Sequence, residues 1–571
     1  TAVMLGGLSR TAGRTVLVVS LTTAVRDAAA FSRPVHALTP LATVSSCYAK
    51  SPFQRRFATG GSKTEKTSGS SSRFGAVAML LGGFAAAEFW KPNRDIHCKQ
   101  LSMSAGSGQV GISKAASHKV GCVNDLPEGL VTTEHFFQVP LDYGNPKGET
   151  IEVFCRELRL QKNRDTEDLP ALVFLQGGPG FPAGRPVSAN SGWMKRALEE
   201  YRVFLLDQRG TGRSTAVTHE TLAALPSPQA QAEHVGKMRA DNIVRDCETI
   251  RRTVVGPDTK WAVLGQSFGG FCLLTYLSMA PEGLQYGLFT GGLAPVGDGC
   301  TADKVYRKTY LRAAQRSNRF YDRYPQHVDT VRHITSLLDR NPPDLPSGGK
   351  LTARRFLQVG LMLGSGSGLE SMHYLLENPW KVGAEKTQLS YEFLCKVEAC
   401  SAFEVSPLYA IAHEAIYCSG PGQASHWSAQ RILQEFPLFD IKQTLHTPGQ
   451  RVMLMGEHCF SWMFDGDYPA LASLKEASDL LATRSDWPRL YDLEQLRKCT
   501  VPCAAAVYVD DMFVEIDLSL ATAETIGSAP GGLPAKVWVT NEYQHSGLRD
   551  DGYRIVDKLL GMVRGTVNIP S

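Results

Sequence analysis

The sequence predicts an α/β fold, a mostly parallel sheet with helices on both faces and a helical block inserted into it, and three observations predict it. Short apolar runs such as Leu169-Pro-Ala-Leu-Val-Phe-Leu175, Arg202-Val-Phe-Leu-Leu206 and Trp261-Ala-Val-Leu264 suit strands buried on both faces. Stretches with helical spacing of apolar residues, 242–252 and 271–280, precede and follow the last of these runs, and such alternation builds a parallel sheet. After Gly291-Gly292 the alternation stops, and helical spacing takes over from Asp303 to about Lys442.

The 571 residues suffice for more than one domain, and 43% apolar residues suffice for a substantial core. A net charge of +4 is small for this length and argues against nucleic acid or another polyanion as partner. None of the 13 cysteines forms Cys-x-x-Cys, and they are scattered over apolar segments, as reduced buried thiols are. No cysteine pair has an associated histidine pair at ligand spacing, so no metal site is expected.

Residues 1–73 read as a transit-like leader and flexible linker. Up to Lys63 the only acid is Asp27, while Arg10, Arg14, Arg26, Arg33, Arg55 and Arg56 stand among Ser, Thr and Ala, the composition of a mitochondrial targeting segment. Another organelle or a secretory route remains the alternative address. Residues 74–90 are apolar between Arg73 and Lys91, slightly short of the roughly 20 residues of a spanning helix, and would suit a short membrane anchor or a helix packed into a membrane partner. Residues 91–119 are a small-residue and polar linker.

The first half of the globular core is expected over 120–300. Residues 132–143 and 149–159 alternate apolar with polar around the turn Asn145-Pro-Lys-Gly148, a hairpin pattern. The run ending at Leu175 empties into Gln176-Gly-Gly-Pro-Gly180, whose glycines let backbone N–H groups converge on an anion; Gly178 is the preferred donor, with Gly177 open. The run ending at Leu206 is closed by Asp207-Gln-Arg-Gly-Thr-Gly-Arg-Ser214, whose charges are expected to fix the loop rather than react. Gly265-Gln-Ser-Phe-Gly269 between a strand and a helix has the form of a nucleophile elbow: Ser267 at a strained apex, Gly265 and Gly269 permitting the tight approach, and the Phe268 N–H free to bind a developing oxyanion.

Gln176-Gly-Gly-Pro-Gly180, Asp207-Gln-Arg-Gly-Thr-Gly-Arg-Ser214 and Gly265-Gln-Ser-Phe-Gly-Gly270, in this order and at these separations, resemble the proline iminopeptidase family of α/β-hydrolases. The likeness spans about Val120 to the C-terminus. It implies an α/β-hydrolase core with an inserted helical cap over the active site, read here as 301–442, with the second half of the core at 443–571. It also implies a serine aminopeptidase that takes peptides with a free N-terminus and needs no cofactor. Two glutamates hold the substrate amine in that family; His413-Glu-Ala-Ile-Tyr417 looks like the position of one, Glu414, and Gly456-Glu-His-Cys459 suggests Glu457 for the other, with Glu542 as substitute.

In the second half, Arg451-Val-Met-Leu-Met455 could return the chain to the sheet, and 501–514 contains a small-residue and β-branched run ending in two acids. Either Asp510 or Asp511 could orient a histidine, and resemblance to the family favours Asp511. Residues 536–540 form the last strand, and His545 in the following loop fits the family's catalytic histidine; His413 and His458 are its competitors among 14 histidines. Serine, acid and histidine thus fall in the chain order of α/β-hydrolases. Two rival readings stay open: an esterase or amidase of the same fold, and a catalytically retired hydrolase serving as accessory subunit of an organellar membrane complex.

Overall fold

The computed structural model describes residues 117–567 other than 298 and 402; the expected leader, the apolar segment 74–90 and the linker up to residue 116 lie outside the described residues. Nine strands form one sheet: β1 (His118–Leu126), β2 (Leu130–Pro140), β3 (Thr150–Leu160), β4 (Ala171–Leu175), β5 (Arg202–Asp207), β6 (Trp261–Gln266), β7 (Leu284–Thr290), β8 (Cys503–Tyr508) and β9 (Lys536–Thr540). Their order is β1-β2-β3-β5-β4-β6-β7-β8-β9. β2 is antiparallel to both β1 and β3, and β3 is antiparallel to β5, whereas the six strands from β5 across to β9 run parallel. This is the mostly parallel α/β sheet that the sequence predicts.

Alternating side chains of the central strands point to opposite faces. Leu172, Phe174, Ala262, Leu264, Ala504 and Ala506 form one core with Ala197, Leu198, Ile555 and Leu559, from the helices Gly192–Leu198 and Gly552–Arg564. Val173, Leu175, Val263, Phe289 and Ala505 belong to the other core, with residues of the helices Ala240–Ile250 and Phe268–Met279. Both faces are covered, which is why these strands read as unbroken apolar runs.

The 207–214 loop is a structural tie. Asp207 accepts from Arg185 (2.8 and 2.5 Å) and from the Ala183 and Arg213 N–H groups (3.1 and 2.8 Å). Arg209, fully buried, donates to both oxygens of Asp246 (2.7 and 2.6 Å) and to the carbonyls of Leu141 and Lys237. A buried guanidinium needs this full set of acceptors to offset its lost hydration.

The expected strand at Arg451-Val-Met-Leu-Met455 does not form. These residues are extended and largely buried, but Leu454 N–H donates to Ser317 Oγ (3.1 Å) and Met455 N–H to the Leu357 carbonyl (2.9 Å), inside the helical block. A five-residue apolar run is consistent with any buried extended segment, and periodicity does not distinguish them. Helices therefore continue beyond 442, through Lys475–Thr483 and Leu493–Arg497, and the sheet resumes only at β8. Within the helical block the chain tightens from α-helix (Ala353–Leu357) to a 3-10 turn (Gln358–Gly364). No helix among the described residues is long and apolar enough to cross a membrane.

The strand-to-helix turn at β6 leaves no room for side chains. A Cβ on Gly269 would run into the carbonyl oxygen of Leu175, and one on Gly265 would lie 2.6 Å from the Gly269 carbonyl oxygen. Gly269→Ala is expected to lower stability by about 1–3 kcal/mol or more, because the colliding atoms are backbone and cannot rotate away. Gly184→Ala, with nothing within 4 Å of the new methyl, should stay within about 0.5 kcal/mol. Urea midpoints of the two variants check this, and equal midpoints would contradict it.

Candidate active site

Strand register decides which loops meet. Leu175 pairs with Gly265, Gln266 with Thr290, Thr290 with Ala506, and Tyr508 with Thr540, so β4, β6, β7, β8 and β9 end nearly level. The loops beyond those ends carry Gln176 to Gly180, Ser267, Gly291-Gly292, Asp511 and His545. Ligands of open α/β sheets bind at this carboxyl edge.

Ser267 stands at the apex between β6 and the helix Phe268–Met279, with φ 55° and ψ −125°, a conformation that non-glycine residues avoid. The turn is held by Ser267 N–H to the Thr290 carbonyl (3.1 Å) and Gly270 N–H to the Ser267 carbonyl (2.7 Å). The Phe268 N–H is the first of the helix, where the backbone carries partial positive charge.

The 176–180 loop lies against this apex. A Cβ on Gly177 would be 2.8 Å from Ser267 Cβ and 2.5 Å from Gln266 Oε1, so the loop's backbone approaches the serine as only glycine allows. At Gly178 the corresponding atom would face Gly180 N and Phe181, within the loop itself.

Asp511 follows β8 and is buried. Its Oδ1 accepts from the Phe513 and Val514 N–H groups (2.9 and 3.0 Å), and its Oδ2 lies 2.7 Å from His545 Nδ1. Asp510 turns the other way, paired with the half-exposed Arg319 (2.5 and 3.0 Å). His545 packs edge-on against Phe513 at 4.9 Å, and its Nε2 lies 3.4 Å from Gln266 Nε2, on the residue before Ser267. β7 stands between β6 and β8, and the two residues that follow it are glycine. A Cβ on Gly291 would sit 3.2 Å from Asp511 Oδ2 and 3.3 Å from His545 Nδ1, and one on Gly292 would sit 2.7 Å from the Ser267 carbonyl. Two side-chain-free residues thus let the imidazole reach across β7.

The helical block covers this edge. Gly366 N–H donates to Ser546 Oγ (2.8 Å), next to His545, and Phe181 packs against Tyr409 at 5.1 Å. Tyr409 Oη donates to Glu457 (2.6 Å), and Tyr417 meets Phe271, on the helix after Ser267, at 6.1 Å. Glu414 begins the turn Glu414–Tyr417 and is buried; its carboxylate accepts from the Ser428 and Ala429 N–H groups (3.1 and 2.8 Å). Burial nonetheless pushes its carboxyl up to about 7, the hydrogen bonds from Ala429, Ser428 and Ser425 only partly opposing it. Arg239, also buried, donates to the carbonyls of Ala415 (3.2 Å) and Cys418 and fastens this turn to the core. Burial and the neighbouring carboxylates push the phenols of Tyr306, Tyr409 and Tyr417 well above their ordinary range.

Glu542 is exposed and paired with Arg554 (2.7 Å), which removes it as a substitute for Glu457. His458 stacks on Tyr310 at 4.0 Å and accepts from Gly456 N–H (3.1 Å), a ring built into the helical block, and burial pushes it down to about 3. His413 is fully buried between Tyr409 and Tyr417, and both its ring nitrogens lack a hydrogen-bond partner among the described residues. The aromatic wall of Phe181, Tyr409, His413, Tyr417 and Phe271, and the contact of Gln266 with His545, escaped the sequence reading. Only the Tyr-x-x-x-His-x-x-x-Tyr spacing of 409, 413 and 417, one face of a helix, hinted at the wall.

The arrangement is an acid, an imidazole and a serine at a helix N-terminus, beneath a block that holds two carboxylates among aromatic rings. Residues 170–384 match the family model described as alpha/beta hydrolase fold. The chain is 45% identical to a proline iminopeptidase of Aeromonas sobria over 76% of this chain and 97% of that one. It is 34% identical to the proline iminopeptidase aneH of Aspergillus aculeatus over 71% of this chain and 88% of that one. Among solved structures, Rv0554 of Mycobacterium tuberculosis is 13% identical, with a TM-score of 0.34, covering 76% of this chain and 100% of that one.

Proposed function

The chain belongs to the proline iminopeptidase family of α/β-hydrolases, and on that premise we propose that it is a serine aminopeptidase releasing N-terminal proline, or a similarly small residue, from peptides through an acyl-enzyme. The observation that carries the reading is the 2.7 Å contact of His545 Nδ1 with Asp511 at the carboxyl edge that also holds Ser267. In the proposed cycle Asp511 fixes the Nδ1–H tautomer, and His545 Nε2 takes the Ser267 proton as Oγ attacks the scissile carbonyl. His545 then returns that proton to the departing amine. Phe268 N–H and Gly178 N–H serve as oxyanion donors. A water activated by the same imidazole hydrolyses the acyl-enzyme, so no cofactor enters the cycle.

Glu414 and Glu457 are assigned to the substrate ammonium, which a water-poor site accepts only opposite carboxylates. The aromatic rings around them suit a pyrrolidine. A prolyl amide should therefore be hydrolysed and its N-acetyl derivative refused; equal turnover of both would favour an esterase or amidase instead. A mitochondrial address is part of the same proposal, supported by the acid-poor, arginine-rich leader, and is tested by fractionating cells before labelling with a fluorophosphonate.

Because burial holds the Glu414 carboxyl up to about 7, its charge disappears as pH falls through that value. The kcat/KM for a prolyl amide should fall more steeply below pH 7 than that for a neutral ester, which shares the His545 requirement but has no ammonium. Glu414→Gln should remove this difference and raise KM for the amide by roughly ten- to a hundredfold. The opposite sign applies to stability: a carboxyl raised above its unfolded value favours the fold fully at low pH and loses that contribution as pH rises through about 7. Glu414→Gln should thus gain stability relative to the parent at pH 8 compared with pH 5, as read from thermal midpoints.

A further inference from the structure

We propose that Gln266 is a positioning residue of the acyl-transfer machinery, one amide that holds the His545 imidazole in its basic form and braces the 176–180 loop; the proposal rests on the serine-peptidase reading above. Gln266 ends β6, is 5% exposed, and directs its side chain along the carboxyl edge of the sheet. Its Nε2 lies 3.4 Å from His545 Nε2, and its Oε1 lies 2.5 Å from where a Cβ on Gly177 would stand. The amide is therefore lodged between the proposed base and the proposed anion-binding loop, on the residue before Ser267.

The direction of the effect follows from the ring's two nitrogens. Asp511 Oδ2 at 2.7 Å requires a proton on Nδ1, which leaves a lone pair on Nε2. An amide N–H2 is the matching partner for that lone pair and a repulsive one for Nε2–H. Gln266 thus disfavours the imidazolium before substrate arrives and keeps the base unprotonated, and Ser267 Oγ–H takes over the lone pair when the acyl group is seated. Asp511 and Tyr508, from β8 and its turn, meet the ring beside Gly291, and Tyr543, Asp550 and Arg549 act in turn on Tyr508. Phe513 covers its edge and Gly366 meets its loop from the helical block. On the Nε2 side the neighbour is this uncharged amide.

The test is the pH profile of prolyl amide hydrolysis by the purified full chain and by Gln266→Met and Gln266→Glu. Met keeps the length and removes the donor. The acidic limb of kcat/KM should rise by about half a pH unit, and kcat should fall roughly three- to tenfold with KM within about twofold. Glu supplies a carboxylate that accepts from Nε2–H, so its acidic limb should lie higher still. The order Gln, Met, Glu in that limb is a signature that mere loss of packing does not produce, and coincident limbs in all three overturn the proposal. Should Gln266→Met fail to fold, Gln266→Glu, nearest in volume, carries the comparison alone. The pH dependence of fluorophosphonate labelling at Ser267 reads the same ionisation without a peptide. A wild-type chain that labels but does not cleave the amide overturns the substrate assignment and leaves this proposal to be decided by the labelling profiles.

Discussion

Ser267→Ala should lower kcat for a prolyl amide by roughly 10⁴- to 10⁶-fold, because it deletes the nucleophile and leaves the rest of the cycle with nothing to act on. What remains is the Phe268 N–H at the start of its helix, the neighbouring loop and the carboxylates of the helical block, the groups proposed to bind substrate. KM should therefore change little, and a fluorophosphonate that adds its mass to the parent should leave the variant unmodified. The thermal midpoint should stay close to that of the parent, since the strained φ of 55° is set by the turn's own hydrogen bonds, Ser267 N–H to Thr290 and Gly270 N–H to the Ser267 carbonyl. Equal rates of amide hydrolysis by parent and variant would end the peptidase proposal.

Asp511→Asn is expected to cost about 10⁴-fold in kcat, and the geometry states why so small a change is so damaging. Oδ1 of Asp511 accepts from two backbone N–H groups, those of Phe513 and Val514. An asparagine at this position must put its carbonyl oxygen there, which leaves its N–H2 facing His545 Nδ1. The ring is then driven to the tautomer with its proton on Nε2, where it can no longer accept from Ser267. Asp510→Asn is the contrast. It gives up an ion pair with the half-exposed Arg319, worth about 0–1 kcal/mol, and its rate should remain within about twofold of the parent. Steady-state kinetics on the two variants separate the neighbouring acids; a large loss in Asp510→Asn alone would reverse the assignment.

Much of the fold could be read from the residues because buried parallel strands and amphipathic helices impose patterns on their own sequences. The apolar runs ending at Leu175, Leu206 and Leu264 became β4, β5 and β6, and 536–540 became β9. β1 and β7 passed unnoticed. β1 is an edge strand with an irregular pattern of exposure, and β7 is interrupted by Gln285 and Gly287, so neither displays a clean period. Arg451-Val-Met-Leu-Met455 failed in the opposite sense, since a run apolar enough for a strand is equally suited to lie among helices.

For the candidate site the division is sharper. Gly265-Gln-Ser-Phe-Gly269 announces its turn in its own residues, since a Cβ on Gly265 would meet the backbone of Gly269 four residues on; this much the sequence determined alone, together with the order of serine, acid and histidine. Which of two adjacent acids meets the imidazole, that Glu542 goes to Arg554, and that Gln266 touches His545 were decided only by the tertiary structure. The physical reason is one of range. A turn's strain is settled within a few residues, whereas a side chain's partner depends on strands brought level by register and on residues hundreds of positions away in the chain.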